Sequence, residues 1–224
     1  MVKCFFFVIL MLFESAIVFA QDRETVKIAC VGNSITYGSC IKNRFQNSYP
    51  GVLSKWLGDG YDVRNYGVSG CTLLNKGDYP YMHQSKFHEV QTFNPDIIII
   101  KLGTNDSKPW NWHFKKDFQD DLNEMLDVFQ DLASNPRIYL CTPIPAVYPN
   151  YGITDSIISS EIIPRIKKVG EKRKLPVIDL HKGIKARRDL YVDGIHPNEK
   201  GAVVIASILY ETLTGQKAPD YMSK

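Results

Sequence analysis

The chain alternates short apolar runs with amphipathic stretches. Residues 26–31, 96–102, 138–141 and 177–180 are runs dominated by apolar and β-branched side chains, and 62–66 is a short, more polar strand-like run. The run at 96–102 holds four consecutive isoleucines, Ile97 to Ile100. A strand apolar on both faces belongs in a parallel sheet covered by helices. Helices are predicted over 49–57, closed by Gly58, and over 114–132. In the latter, Phe118, Leu122, Met125, Phe129 and Leu132 recur at spacings of three and four. Further helices are predicted over 157–169, where Pro164 should kink or break the element, and over 202–213. Regular β-α alternation predicts an α/β fold, a three-layer α/β/α arrangement around a five-stranded parallel sheet. Ligands of such sheets bind beyond the carboxyl ends of the strands. The loops after the first, second, third and fifth runs are therefore the places to look for chemistry.

The N-terminus breaks this pattern. Lys3 precedes an apolar stretch at 4–13, Glu14 interrupts it, and Val18-Phe19-Ala20 follows. The apolar stretch is too short for a comfortable membrane span. Residues 1–20 therefore read as an export signal cleaved after Ala20, leaving 21–224 as a single domain, secreted or periplasmic, with no membrane insertion. The whole chain has 224 residues, 44% of them hydrophobic, and a formal net charge of +3. That size buries a full core without metals or disulfides. The charge is too small to point to nucleic acid or an anionic membrane. Lys172-Arg173-Lys174 reads as the cationic C-terminal end of a helix. Export places the cysteines in an oxidising compartment. Cys30 and Cys141 lie in apolar runs and read as small buried hydrophobes, whereas Cys40 and Cys71 lie in loops and leave a bridge between them open. No cysteine spacing resembles a zinc site.

Polar residues suited to catalysis gather at the ends of the runs. Gly32-Asn33-Ser34-Ile35-Thr36 follows the first. Its serine either presents a hydroxyl at the sheet edge or caps the next helical turn. Asn65-Tyr66-Gly67-Val68-Ser69-Gly70 follows the second run, as a simple loop or as a turn where backbone approaches something closely. After the third comes Gly103-Thr104-Asn105-Asp106. The Asn105 amide can donate into a pocket, and Asp106 can cap the following turn. Asp193-Gly194-Ile195-His196-Pro197 precedes the last helix. Asp193 can hold one imidazole nitrogen of His196 and leave the other to accept a serine proton. Alone, the pair also reads as two metal ligands or a structural hydrogen bond.

In this order the blocks GNSIT, NYGVSG, GTND and DGIHP resemble the SGNH hydrolases, also called GDSL esterases, across essentially the whole mature length. The resemblance implies a flavodoxin-like SGNH hydrolase fold, with Ser34 as nucleophile, His196 as base and Asp193 as its partner. It further implies an oxyanion hole formed by the Ser34 and Gly70 backbone N–H groups and the Asn105 amide. The implied reaction is acyl transfer through an acyl-enzyme, with no metal or organic cofactor. Asn33 stands where the family name has Asp.

Residues 65–78, 97–105 and 139–145 resemble the corresponding segments of secreted bacterial carbohydrate acetylesterases, such as sialate O-acetylesterases. An acetyl ester on sialic acid or a polysaccharide sugar is the implied substrate. Trp110 and Trp112 either pack under their loop or offer flat faces to a sugar ring. A lysophospholipase, a thioesterase or a platelet-activating-factor-acetylhydrolase-like enzyme would need an apolar acyl channel, which no stretch announces. A non-catalytic glycan-binding module is the reading from another class, opposed by the intact Ser34, Asp193 and His196 set. His83, His88, His113 and His181 lack an acid partner in suitable context and read as structural or surface residues. Asp179 reads as a structural acceptor. Nothing in the sequence specifies an oligomeric state.

Overall fold

The structure is a computed structural model that describes residues 25–220. The expected export signal at 1–20 lies outside these residues. Five strands form one parallel sheet in the order β2-β1-β3-β4-β5: β1 (Val26–Gly32), β2 (Tyr61–Gly67), β3 (Ile97–Lys101), β4 (Arg137–Cys141) and β5 (Val177–Ile178). Between them run α1 (Ser34–Tyr37), α2 (Arg44–Asn47), α3 (Tyr49–Leu57), α4 (Ser85–Phe93), α5 (Pro109–Trp112) and α6 (Phe118–Gln130). The later helices are α7 (Asp155–Ile157), α8 (Ile163–Arg173), α9 (Leu180–Ile184) and α10 (Glu199–Thr214). No helix among the described residues is long and apolar enough to cross a membrane.

The isoleucines of β3 explain why both faces are covered. Ile98 and Ile100 pack into one core with Phe87 of α4, Met125 and Phe129 of α6, and Ile166 of α8. Ile99 points the other way, into a second core with Val52 and Leu53 of α3 and Ile205 and Leu209 of α10. This is the period of two expected of a strand, and each buried isoleucine contributes about 1.5–3 kcal/mol of hydrophobic stabilisation.

Several boundaries differ from the sequence expectation for local reasons. Pro164 does break the 157–169 stretch: a π-turn spans Ile158–Ile162, and α8 restarts at Ile163 with the proline in its first turn. There the missing proline N–H costs no helical hydrogen bond. The strand expected at 177–180 stops at Ile178 because Asp179 turns to cap α9, accepting the Lys182 N–H at 3.1 Å. Asp179 also accepts from Lys167 at 2.7 Å, so it is the structural acceptor anticipated. The Lys172-Arg173-Lys174 run closes α8, where Arg173 pairs with Asp127 at 2.6 Å. Helix α4 was not anticipated; its apolar residues Phe87, Val90 and Phe93 recur every third position. Among the described residues all four cysteines are free. Cys71 is buried and burial pushes its thiol up to about 12, while Cys40 is exposed. The Cys40–Cys71 bridge left open by the sequence is not formed.

The register of the sheet sets up the site. Gly32, at the end of β1, pairs with Gly67 of β2 on one side and with Lys101 of β3 on the other. Three neighbouring strands therefore end level, and their following loops emerge side by side. Lys101 itself is fully buried, with its amine 3.5 Å from Asn33 Oδ1. Burial pulls its pKa down from 10.5 to about 7. A lysine whose pKa is lower folded than unfolded costs stability while protonated. That cost is greatest below about 7 and disappears as pH approaches 10.5. Lys101→Met is expected to raise the melting temperature near neutral pH, with a gain that shrinks toward pH 10.5. Thermal unfolding across that range checks it; a pH-independent gain would contradict the burial argument.

Candidate active site

The turn from β1 into α1 is built on Gly32 and Asn33. A Cβ at Gly32 would lie 2.1 Å from Thr36 Oγ1, so only glycine lets α1 fold back over the strand end. Asn33 is the helix cap: its side-chain oxygen accepts the Ile35 N–H at 3.1 Å. This resolves the reading of Ser34 as a cap. Ser34 is the first helical residue, 8% exposed, and its hydroxyl is available to other partners. Asn65 pins α1 from β2, donating to the Thr36 carbonyl at 2.7 Å and accepting the Gly67 N–H at 2.9 Å.

The opposite wall comes from the segment before α10. Tyr191 and Pro197 form an antiparallel bridge, and the Val192 N–H donates to the His196 carbonyl at 2.9 Å. Asp193 and Gly194 sit at the tip of this tight loop. Asp193 Oδ1 accepts the Ile195 and His196 N–H groups at 3.0 and 2.8 Å. Its Oδ2 accepts from His196 Nδ1 at 2.7 Å, and His196 Nε2 lies 2.9 Å from Ser34 Oγ. Burial alone would raise the Asp193 carboxyl. The His196 N–H, the imidazole and the Ile195 N–H outweigh it and hold the group below the ordinary carboxylate range. With the imidazole proton on Nδ1, facing this carboxylate, Nε2 is an acceptor for the Ser34 hydroxyl. Residues separated by about 160 positions thus form one continuous hydrogen-bonded chain.

The remaining expected residues gather around a hollow of about 260 Å³ lined by Ser34, Ser39, Ser69, Gly70, Asn105, Lys108, Tyr151, Ile153 and His196. The Asn105 amide donates to the Cys71 carbonyl at 3.0 Å, and that bond fixes its plane. Asp106 does not merely cap its turn. Fully buried, it accepts the Leu73 and Leu74 N–H groups at 2.9 and 2.8 Å and so ties the loop after β2 to the loop after β3. Burial lifts its pKa to about 6 in spite of those donors.

The two tryptophans part ways. Trp110 is 53% exposed, with its indole N–H on Asp78 Oδ2 at 2.8 Å. Trp112 is 6% exposed and packs edge-on against Phe118 under the Arg165 guanidinium. It is a core residue, packed by Phe118 and Arg165. His181 also departs from expectation: it does have an acid, Asp155, at 3.0 Å, contributed from a different segment.

Tyr151 was missed by sequence reasoning. Its hydroxyl donates to Asp193 Oδ2 at 3.2 Å, and its ring stands edge-on to the His196 imidazole at 5.9 Å. The neighbouring Asn150 donates to the Asp193 carbonyl at 3.0 Å. No local pattern marks this pair; they lie in a loop with neither glycine-rich nor catalytic spacing. Among the described residues one trio, Cys40, Asp193 and His196, has possible ligand atoms within 4.8 Å of one another. Asp193 and His196 are already bonded along the chain to Ser34, so a soft metal ion there would compete with that chain.

Residues 30–204 match the family described as GDSL-like Lipase/Acylhydrolase. The chain belongs to this family. It is 44% identical over 208 residues to an acetylxylan esterase of Xylanibacter ruminicola, covering 85% of this chain and 43% of that protein. It is 26% identical to a multidomain esterase of Ruminococcus flavefaciens, over 94% of this chain and 31% of that one. The chain thus spans less than half the length of these curated relatives. Among solved structures, an aryl esterase of M. smegmatis superposes with a TM-score of 0.69 at 19% identity, covering 85% of this chain and 99% of that one. A carbohydrate acetylesterase from Sinorhizobium meliloti gives 0.69 at 17% identity, with the same coverage. These likenesses establish a shared fold.

The tip of the 191–197 loop supplies a direct test of the geometry. Gly194 has φ +84°, and a Cβ there would lie 2.7 Å from the Tyr148 ring. Gly194→Ala is expected to cost on the order of 1–3 kcal/mol of stability and to displace Asp193 and His196 from Ser34. Thermal unfolding and the rate of Ser34 labelling by a fluorophosphonate check both; an unchanged labelling rate would refute the link to the site.

Proposed function

We propose that this chain is a secreted carbohydrate acetylesterase that works through an acyl-enzyme on Ser34. The observation that carries the reading is the unbroken Asp193–His196–Ser34 chain opening onto a small hollow. Ser34 Oγ attacks the ester carbonyl while its proton passes to His196 Nε2. Asp193 holds the imidazole in the required tautomer and stabilises the cation that forms. The Ser34 and Gly70 backbone N–H groups and the Asn105 amide hold the oxyanion, pre-set by the turn after β1, the loop after β2 and the Cys71 carbonyl. The Oγ–acyl bond forms, the alcohol leaves with the proton from His196, and water then releases the acid by the reverse proton path.

The size of the hollow supports a short acyl group. At about 260 Å³ it is smaller than the pockets that enclose drug-sized molecules, roughly 300–1,000 Å³. A lysophospholipase or long-chain thioesterase would need more apolar length. Trp110, exposed at the rim beside Lys108, offers a flat apolar face of the kind a sugar ring covers. The identity with an acetylxylan esterase supports an acetylated polysaccharide of the xylan type over sialic acid.

Fluorophosphonate should label the wild type and leave Ser34→Ala unlabelled; labelling elsewhere or none at all would sink the nucleophile assignment. Acetate release from acetylated xylan should fall by about 10⁴-fold in Asp193→Asn. The fall in Asn105→Ala should be on the order of 100-fold or more. Acetylated xylan, acetylated sialic acid and longer acyl esters, assayed side by side, decide the substrate. Preference for long acyl chains would refute the acetylesterase reading.

A further inference from the structure

Among the described residues the most exposed large apolar side chain belongs to α2. Phe45 is 76% exposed. The Arg44 guanidinium lies between its ring and that of Tyr37, 4.3 and 3.9 Å from the two centroids. The sandwich holds Phe45 in place and leaves its second face open. Beside it is a hollow of about 460 Å³ whose walls include Phe45, Gln46, Asn47, Ser54, Lys55 and Trp56.

Four of these wall residues, Phe45, Gln46, Asn47 and Trp56, are braced by neighbouring side chains. The Asn43 amide donates to Gln46 Oε1 at 2.7 Å. Asn47 donates to the Lys42 carbonyl at 2.9 Å and to Glu199 at 3.3 Å. Trp56 stands edge-on against Tyr210 of α10 at 6.1 Å. Groups held in this way lose little side-chain freedom when they bind.

We propose that this hollow and the Tyr37–Arg44–Phe45 stack form a second binding site, for the backbone of a neutral polysaccharide. Sugar rings combine an apolar C–H face with a rim of hydroxyls. The hollow answers with two aromatic side chains, two amides, a hydroxyl and one ammonium. An acyl tail would strip water from the Ser54 hydroxyl and the Lys55 ammonium in that lining, at a cost for each one buried. A nucleic acid would call for a denser basic surface. Helix α1 links the two: Ser34 at its start lines the acyl hollow, and Tyr37 at its end stacks on Arg44 at 3.9 Å. A polymer gripped at Phe45 presents its neighbouring acetyl groups to Ser34 at raised local concentration. The choice of a glycan rests on the acetylesterase reading above.

The test compares wild type with Phe45→Ala, a change at an exposed position that leaves the core intact. The probe is xylan stripped of its acetyl groups, in affinity electrophoresis and calorimetric titration. Wild type should bind it, and Phe45→Ala should bind roughly tenfold more weakly, the loss of one stacked ring. Hydrolysis of p-nitrophenyl acetate should be unchanged, while KM for acetylated xylan rises. Equal binding by both proteins, or none by an active wild type, overturns the second site and leaves the esterase reading standing. Binding lost in Phe45→Ala without acetate release from any glycan overturns the esterase reading and leaves the second site. A wild-type dimer that Phe45→Ala dissociates would make the patch a self-association surface and also overturn the proposal.

Discussion

Everything at the candidate site depends on β1 pairing in parallel with β2 and β3 so that all three end level. Gly32 faces Gly67 and Lys101 across the two ladders. Parallel pairing fixes direction as well as register, so the loops bearing Ser34, Gly70 and Asn105 must leave the sheet on the same side. The order β2-β1-β3-β4-β5 also puts β1 where the winding reverses, and there the helices diverge and leave a crevice. A slip of one residue in the β1–β3 ladder would turn the isoleucines of β3 from one core to the other. The same apolar burial that stabilises the sheet therefore holds the site in register.

Above the sheet, polar groups take over from apolar ones. Asp106 spends its carboxylate on two backbone N–H groups of the loop after β2, deep in the protein. Asn65 does the same for α1, and Asn105 for the carbonyl of Cys71. Asp106 and Asn105 join the loop after β3 to the loop after β2, and Asn65 joins β2 to α1, so these segments hold one another in place. Buried polar networks of this kind are costly when broken, which makes the crevice a rigid frame. Asp193 is held in a similar way, with donors from Ile195, from both the backbone and ring of His196, and from Tyr151. That concentration of donors keeps it ionised and oriented.

Lys101 and Tyr151 show two ways in which the site reaches beyond its four sequence blocks. Lys101 brings an amine into the interior directly beneath Asn33, the residue that stands where the family name has Asp. An asparagine there caps α1 without adding a charge. Tyr151 closes the other end of the chain, bringing a hydroxyl to the far side of the Asp193 carboxylate and a ring to the wall of the hollow.

The strands, their order along the chain, the three blocks at their ends and the fourth before α10 were legible in the sequence because each is a local pattern. Four isoleucines in a row announce a doubly covered strand, and a stripe at spacings of three and four announces α6. Proline at 164 announced a break, and the π-turn with a restarted helix is how the backbone accommodates it. What the sequence could not disclose were partnerships between distant segments. Tyr151 with Asp193, His181 with Asp155, and Lys101 beneath Asn33 carry no spacing to read. Trp110 and Trp112, two positions apart in the chain, look alike until the fold buries one and exposes the other. Even Ser34, which alone reads more readily as a helix cap, is separated from that role only because Asn33 takes it and His196 arrives from the far end of the chain. Sequence determines local periodicity and the types of groups available. Which groups meet, and in what solvent exposure and field, is decided when the sheet closes and the two cores are sealed.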